Sequence, residues 1–361
     1  MFYHFLFPLH QTYSVFNVFR YLTFRTAYAA LTTLLLSLIL APYVIRLLQR
    51  WQIEQMIRQE GPPSHFDKAG TPTMGGILIL TSMLVGTLLW ANLTVAYVWI
   101  ALLSTLCFGA IGFWDDYLKI SRKSNTGLRA KYKFTAEIVA AAIVATLLFT
   151  RADPEGIATH LSVPFFKHIA PDLGMWYVPF IIFVIVGTSN AVNLTDGLDG
   201  LAIGPVIIAT FAYAGIVYVA GHARFAPYLN IQHIRGAGEL AVFCGALLGA
   251  SLGFLWFNAY PAQIFMGDVG ALALGGALGT VAVIAKHELL LVLIGGLFVI
   301  ETLSVIVQVV SFKLTGKRVF RMAPLHHHFE QKGWQEPKVI VRFWIIAIVL
   351  ALLSLSTLKL R

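Results

Sequence analysis

Apolar runs of about 18 or more residues recur along almost the whole of this chain. Each run is long enough to cross a bilayer as a helix, and repeated runs of this kind exclude an ordinary soluble domain. Hydrophobic residues make up 58% of the 361 positions and charged residues only 12%. The sequence therefore predicts an all-α, polytopic integral membrane protein, with residues 1–361 forming a single transmembrane domain.

About ten transmembrane helices are predicted, after an aromatic-rich and interfacial stretch at residues 1–20. Their approximate bounds are 21–48, 77–90, 96–114, 134–150, 176–192, 201–220, 240–257, 269–285, 289–312 and 339–358. The N-terminal region has no short apolar core followed by a small-residue cleavage site, so we expect no removable signal peptide. Cys107 and Cys244 lie within apolar runs at a spacing that suggests neither a disulfide nor a metal site.

The loops between these helices are unequal in positive charge. One set of alternate loops carries 17 of the 26 Lys and Arg residues, and the other set with the termini carries 9. By the positive-inside rule the first set is cytoplasmic, and both termini are periplasmic. The net charge of +9 is thus explained by topology and by anionic membrane lipid, and no nucleic-acid-binding motif is present.

The most polar run between apolar segments is Asn190 to Leu201, NAVNLTDGLDGL, on the predicted cytoplasmic face. It holds two carboxylates, Asp196 and Asp199, beside Gly197 and Gly200, which allow close approach of the backbone to a ligand. A polar turn between two helices, capped by Asn and Asp, explains this run equally well when it is taken alone.

Three further acids fall on the same predicted face. Asp115 and Asp116 follow the third segment, and Asp268 in FMGDVG opens the eighth. A helix cap explains any one of them, and a helical ion pair explains Lys119, four residues after Asp115. Acids from different helices are, however, what Mg²⁺ needs when it binds a phosphate substrate through a few carboxylates. We therefore predict a Mg²⁺ site, with Asp115, Asp116 and Asp268 as candidate ligands.

The last predicted cytoplasmic loop contains His326, His327 and His328 in a row. Zinc binding is conceivable, but the chain lacks the Cys or HExxH spacing that would support it. Imidazoles beside a phosphate offer proton transfer and charge neutralisation near neutral pH, and we favour that interpretation. Lys68, Thr73 and Lys133 add cations and a hydroxyl, without a Walker A pattern. The combination predicts phosphoryl transfer to a molecule dissolved in the bilayer.

Taken together, these motifs closely resemble those of the polyprenyl-phosphate N-acetylhexosamine-1-phosphate transferases over essentially the whole chain. The markers are DDxxK from Asp115, NxxNxxDGxDG from Asn190, FMGDVG from Phe265 and PLHHHFE from Pro324. The last of these markers indicates the branch that transfers phospho-N-acetylmuramoyl-pentapeptide. The resemblance implies a bacterial inner-membrane enzyme of peptidoglycan synthesis. Its substrates would be UDP-N-acetylmuramoyl-pentapeptide and undecaprenyl phosphate, and its products lipid I and UMP.

The resemblance also implies roles for individual residues. Asp268 would be a principal Mg²⁺ ligand, and Asp115 and Asp116 would lie at the reacting phosphates, with Asp115 deprotonating or orienting the lipid phosphate. A covalent two-step route through a carboxylate remains open. His326 is expected to be catalytic and close to the diphosphate or sugar. The expected substrate-binding residues are Lys68, Thr73, Lys119, Lys133, Asn193, Asp196, Gly197, Leu198, Asp199, Asn258, Phe265, His327 and His328. Members are usually dimeric, so a homodimer is expected.

Three alternatives remain at this point. A sibling enzyme would use UDP-N-acetylglucosamine instead of the muramoyl substrate. A cation-coupled transporter is suggested by Glu137 and Glu301 inside apolar runs, although hydrogen bonding between helices explains both acids better. A membrane prenyltransferase is conceivable from Asp115 and Asp116, but Lys119 and the histidines fit it poorly. The pair Gly295 and Gly296 could bend the ninth helix or pack it closely against a neighbour.

Overall fold

The computed structural model describes residues 1–53, 70–122, 126–151, 159–166 and 169–359, and these residues contain no β-strand. Twelve helices organise the chain, and a few shorter helical turns connect them. They are α1 (Leu22–Arg50), α2 (Gly76–Trp90), α3 (Ala96–Ser121), α4 (Ala130–Arg151), α5 (Tyr177–Thr195), α6 (Ile203–Ala220), α7 (Leu240–Asn258), α8 (Gly267–Ile284), α9 (Leu291–Ile294), α10 (Gly296–Thr315), α11 (Leu325–Glu330) and α12 (Glu336–Ser356).

Nine helices within the described ranges are long and apolar enough to cross a membrane. The predicted second span, α2, is apolar but has only 15 residues, or about 23 Å, which is shorter than a bilayer core. The chain is a polytopic helical membrane protein, and the prediction of about ten apolar helices is confirmed with α2 as a short member. The periplasmic position of the termini stays a prediction.

Helix α8 is the centre of the bundle. It packs against α2, α3, α5 and α6, and 89% of its 18 residues are buried inside the protein. Its sequence, GDVGALALGGALGTVAVI, consists mostly of Gly, Ala and other small residues, which let neighbouring backbones approach closely. Four neighbours around one helix bring the ends of separate segments to the N-terminus of α8, where Asp268 lies.

Two predicted helix bounds were wrong in ways that matter. The third span does not stop at 114, because α3 continues to Ser121 and carries Asp115 and Asp116 within its last turns. Lys119, on the same helix, forms ion pairs with both acids. The ninth span breaks at Gly295, whose ψ of 21° is not helical, into α9 and α10. Gly296 also packs closely, since a Cβ there would lie 2.7 Å from Leu350.

Candidate active site

Three aspartates from two helices form the centre of the site. Asp115 and Asp116 come from α3 and Asp268 from the first turn of α8, and one carboxylate oxygen from each lies within 4.8 Å of the others. A Cβ on Gly112 of α3 would overlap the backbone carbonyl of Asp268, so this glycine permits the close approach of the two helices. The predicted convergence of these acids is what the packing produces.

Two lysines neutralise the cluster. Lys119 Nζ lies 2.6 Å from Asp115 Oδ2 and 2.9 Å from Asp268 Oδ2, and it is 3.4 Å from Asp116 Oδ1. Lys133 Nζ, from α4, lies 2.6 Å from Asp268 Oδ2. Lys119 therefore makes the helical ion pair with Asp115 that its spacing suggested, and it also joins α3 to α8. The same ammonium groups can neutralise phosphate oxygens.

Backbone amides fix the remaining carboxylate oxygens. The amide of Leu128 donates to Asp115 Oδ1 at 2.8 Å, and the amide of Val269 donates to Asp116 Oδ2 at 3.1 Å. Asn193, at the end of α5, donates from its side chain to Asp268 Oδ1 at 2.8 Å. Each aspartate is thus oriented by a specific donor, which is the supporting arrangement that a metal or phosphate site requires.

The donor set fits a hard divalent cation. Three carboxylates that each offer an oxygen within a few ångströms suit Mg²⁺, which prefers oxygen ligands and binds through a few carboxylates together with substrate phosphates. The described residues near this cluster supply no thiolate, and both cysteines are free and lie elsewhere, Cys107 partly buried and Cys244 fully buried. Asp115, Asp116 and Asp268 are therefore the residues that could hold the ion.

The loop before α2 pairs with the segment before α8. Phe265 N donates to Pro72 O, and Gly75 N donates back to Phe265 O, both at 2.8 Å. This pairing places Thr73 beside Gly267, where a Cβ would lie 3.0 Å from Thr73 Oγ1 and 2.6 Å from Asp116 Oδ2. The predicted residues Thr73 and Phe265 therefore border the acidic cluster, whereas Lys68 lies outside the described residues.

The polar run after α5 forms a turn that reaches two parts of the protein. Asp196 lies next to the cluster, and burial raises the pKa of its carboxyl to about 8, with the charges of Asp268 and Asp116 acting in the same direction. Gly197 contacts the ring of His326 so closely that a Cβ there would overlap Nε2. The turn therefore connects the acidic cluster to the histidine helix α11.

Three predicted substrate-binding residues also make contacts within the protein. Asn258 is buried, accepts a bond from Gly200 N at 3.0 Å and donates to Ile264 O at 2.8 Å. Asp199 accepts from Ala262 N at 2.9 Å. Leu198 belongs to a small buried apolar cluster with Leu297 and Val339. These contacts hold the loops that carry the site, and substrate binding by the three residues stays a prediction.

The three histidines point to different partners. His326 is fully buried and faces Glu301 of α10, with 3.2 Å between His326 Nδ1 and Glu301 Oε2. His327 Nδ1 is 2.7 Å from Glu330 Oε2. His328 Nδ1 accepts the amide of Arg321 at 3.1 Å, and partial burial with the charges of Lys332 and Arg321 lowers its pKa. Of the three, His326 is the one that contacts the 196–197 turn.

Glu137 and Glu301 both make hydrogen bonds between helices, as predicted. Asn190 of α5 donates to Glu137 Oε2 of α4, and the amide of Leu325 of α11 donates to Glu301 Oε2. Sequence reasoning missed that Glu301 faces His326, although an isolated carboxylate in an apolar run was the available signal. It also missed Glu336, which accepts the amide of Asp199 at 3.0 Å and has no comparable signal.

Comparison with known proteins gives a consistent result. Residues 98–286 match the model of glycosyl transferase family 4, and residues 68–80 match the phospho-N-acetylmuramoyl-pentapeptide-transferase signature 1. Proteins named phospho-N-acetylmuramoyl-pentapeptide-transferase from Desulfosudis oleivorans and Desulforapulum autotrophicum are each 61% identical to this chain. One from Syntrophus aciditrophicus is 56% identical. In all three pairs the similarity covers 100% of both chains.

Proposed function

The chain belongs to the phospho-N-acetylmuramoyl-pentapeptide transferases of glycosyl transferase family 4, and we propose that it joins the phosphosugar of UDP-N-acetylmuramoyl-pentapeptide to undecaprenyl phosphate. The products are lipid I and UMP. The observation that carries this proposal is the cluster of Asp115, Asp116 and Asp268 bridged by Lys119 and Lys133 at the ends of three apolar helices. It combines groups for a cation and for phosphates in one place.

The chemistry requires one phosphorus–oxygen bond to form and one to break. An oxygen of the lipid phosphate attacks the sugar-linked phosphorus, and UMP leaves with the bridging oxygen. Asp115 accepts the proton of the lipid phosphate or orients it, while Lys119 and Lys133 neutralise phosphate oxygens. Mg²⁺, held by Asp268 with Asp115 and Asp116, supplies charge neutralisation at the diphosphate when bound. Asp196, Gly197 and Phe265 border the position of the uridine and diphosphate.

The first experiment follows UMP release by the detergent-solubilised protein with both substrates and Mg²⁺, with and without a chelator. We expect release that requires the lipid and stops with chelator. Asp115→Asn, Asp116→Asn and Asp268→Asn should each lower kcat by at least about 100-fold, since a metal-assisted step depends on several kcal/mol of charge stabilisation. Full activity in all three variants would contradict the site. UDP-N-acetylglucosamine as a parallel substrate tests the sibling activity.

The same assay separates the direct route from the covalent one. A covalent carboxylate intermediate releases one UMP per enzyme before any lipid is added, which appears as a burst. Direct attack by the lipid phosphate gives no UMP without lipid. We propose the direct route, because each of the three aspartates already has a lysine or amide partner that orients it for charge stabilisation.

Location and assembly complete the proposal. A substrate carried on UDP is made in the cytoplasm, so the site faces the cytoplasm and the protein lies in the bacterial inner membrane as a multi-pass protein. A homodimer is also proposed from the resemblance to the family. Cysteine labelling of loop positions in intact cells tests the orientation, and light scattering with detergent correction tests the assembly.

A further inference from the structure

His326 is buried but poorly satisfied. Its side chain is 1% exposed, and neither ring nitrogen has a hydrogen-bond partner of good geometry among the described residues. Nδ1 is within ion-pair distance of Glu301 Oε2, at 3.2 Å, and Nε2 faces Gly197. A buried polar atom without a partner is costly. An enclosed Nε2 beside the 196–197 turn therefore indicates a partner that the ligand supplies.

Glu301 is held firmly in its place beside this ring. Its side chain is fully buried in α10, five residues after the break at Gly295 and Gly296. Oε2 accepts the amide of Leu325 at 2.7 Å, at the first residue of α11. One oxygen of one carboxylate thus accepts the amide at the start of the histidine helix and lies 3.2 Å from the imidazole Nδ1. Glu301 Oε1 has no hydrogen-bond partner among the described residues. Within this part of the chain, no second hydrogen bond therefore competes for the orientation of this carboxylate.

A carboxylate next to an imidazole nitrogen orients the ring, because the nitrogen that faces it can donate its N–H to the carboxylate. The other titratable groups near the ring are His327 on the same helix, with ring centroids 4.2 Å apart, and Asp196, which precedes Gly197. His327 has its own carboxylate partner in Glu330. Glu301 is therefore the carboxylate that faces Nδ1 of His326.

We propose that Glu301 is a positioning residue that holds the His326 ring through Nδ1, so that Nε2 is directed at an oxygen of the substrate. This inference rests on the proposed function, because the oxygen is one of the diphosphate or lipid phosphate oxygens at the site. Glu301 does not touch the substrate in this arrangement and acts only through His326.

The test is a double-mutant cycle. Glu301→Gln keeps the size of the side chain and removes its charge, and we expect kcat/KM to fall roughly 10-fold. In a His326→Asn background the same change should cost less than about two-fold, because the ring through which Glu301 acts is gone.

A matched control separates this role from simple packing. Glu288→Gln changes another buried glutamate, beyond the far end of α8, roughly 27 Å from the acidic cluster by helix length. It should leave kcat/KM within about two-fold of its parent in both backgrounds. Additive losses for Glu301→Gln in the two backgrounds would overturn the proposal. If Glu301→Gln is not recovered folded, Glu301→Asp keeps the carboxylate but shortens it, and its loss of kcat/KM should likewise shrink to less than about two-fold in the His326→Asn background. An additive loss there would contradict the proposal.

Failure of the proposed function would give a different experimental result. A folded wild-type protein that releases no UMP from either sugar nucleotide would contradict that function before any variant is compared. Active wild-type protein with an additive cycle contradicts only the role of Glu301. Thermal unfolding of each variant in the same detergent confirms that equal amounts of folded protein are compared.

Discussion

Asn193 donates a hydrogen bond of 2.8 Å to Asp268, although the two residues are 75 positions apart in the chain. The bond joins the end of α5 to the first turn of α8. It occupies Oδ1 of Asp268, while Lys119 and Lys133 share Oδ2. Asp268 is therefore oriented by three side chains from three helices, and its position depends on the packing of all of them.

Replacing Asn193 should weaken Mg²⁺ dependence without removing a ligand. In Asn193→Ala the Oδ1 atom of Asp268 loses its donor, and supporting groups of this kind are worth about 10- to 100-fold in metal affinity or activity. We expect the Mg²⁺ concentration at half-maximal UMP release to rise by about that factor. Asn190→Ala, one turn earlier, removes the bond to Glu137 instead and should leave the Mg²⁺ midpoint within about two-fold. Equal midpoints in both variants would contradict the role of Asn193.

Gly112 controls the distance between α3 and α8. A Cβ at this position would overlap the carbonyl oxygen of Asp268, so Gly112→Ala must push the helices apart at a cost of about 1–3 kcal/mol. We expect a lower unfolding temperature together with weaker Mg²⁺ activation, because Asp268 moves away from Asp115 and Asp116. Gly215→Ala in α6 has open space around its Cβ and should leave both quantities nearly unchanged. Unaltered Mg²⁺ activation in Gly112→Ala would show that the spacing is not limiting.

The sequence was sufficient for the helices because apolar runs alone define them. All ten predicted spans correspond to helices, and the misplaced end of the third and the break in the ninth have local causes. Counting apolar residues cannot detect that α3 continues past Trp114 as a polar helical end, in which Lys119 reaches both Asp115 and Asp268. Gly295 was visible as a candidate for a bend, but only the packed backbone decides between bending and close packing.

The roles of individual site residues were harder to predict from the sequence than the helices, because each role depends on contacts between distant helices. The acids and lysines could be grouped by charge and predicted topology, and they do meet. The resemblance assigned Asn258 and Asp199 to the substrate, and their side chains also bond to Gly200, Ile264 and Ala262 within the protein. Glu301 was predicted to form a hydrogen bond between helices, whereas its contact with His326 depends on how α10 and α11 meet.

Gly197 is the point where the polar turn meets the histidine helix. A Cβ there would overlap His326 Nε2, so Gly197→Ala must displace the ring or the turn. We expect kcat/KM to fall by at least about 10-fold, since a displacement of about 1 Å at an active site has effects of this size or larger. Gly187 lies in α5, ten residues before Gly197, with nothing near its Cβ, and Gly187→Ala should retain activity. UMP release at saturating Mg²⁺ measures both, and full activity of Gly197→Ala would contradict the contact.

Glu288 should make stability depend on pH. It lies outside the spans and accepts a hydrogen bond from Tyr177, whose oxygen also accepts one from Lys286 at 2.8 Å. Burial raises the pKa of Glu288 to about 7 from its ordinary 4.5, although Lys286 and Tyr177 act in the opposite direction. A carboxyl with a raised pKa favours folding when protonated, so its contribution is present below about pH 4.5 and is lost as pH rises through about 7.

Glu288→Gln remains neutral throughout this range and isolates the effect. Its stability relative to the wild type should therefore increase between about pH 4.5 and 7, by up to about 3 kcal/mol in free energy of unfolding. Thermal unfolding of both proteins in the same detergent, at half-unit pH steps, measures the difference. Parallel plots of unfolding temperature against pH for the two proteins would contradict the prediction. They would show that the carboxyl of Glu288 has the same charge in the folded and unfolded states between about pH 4.5 and 7.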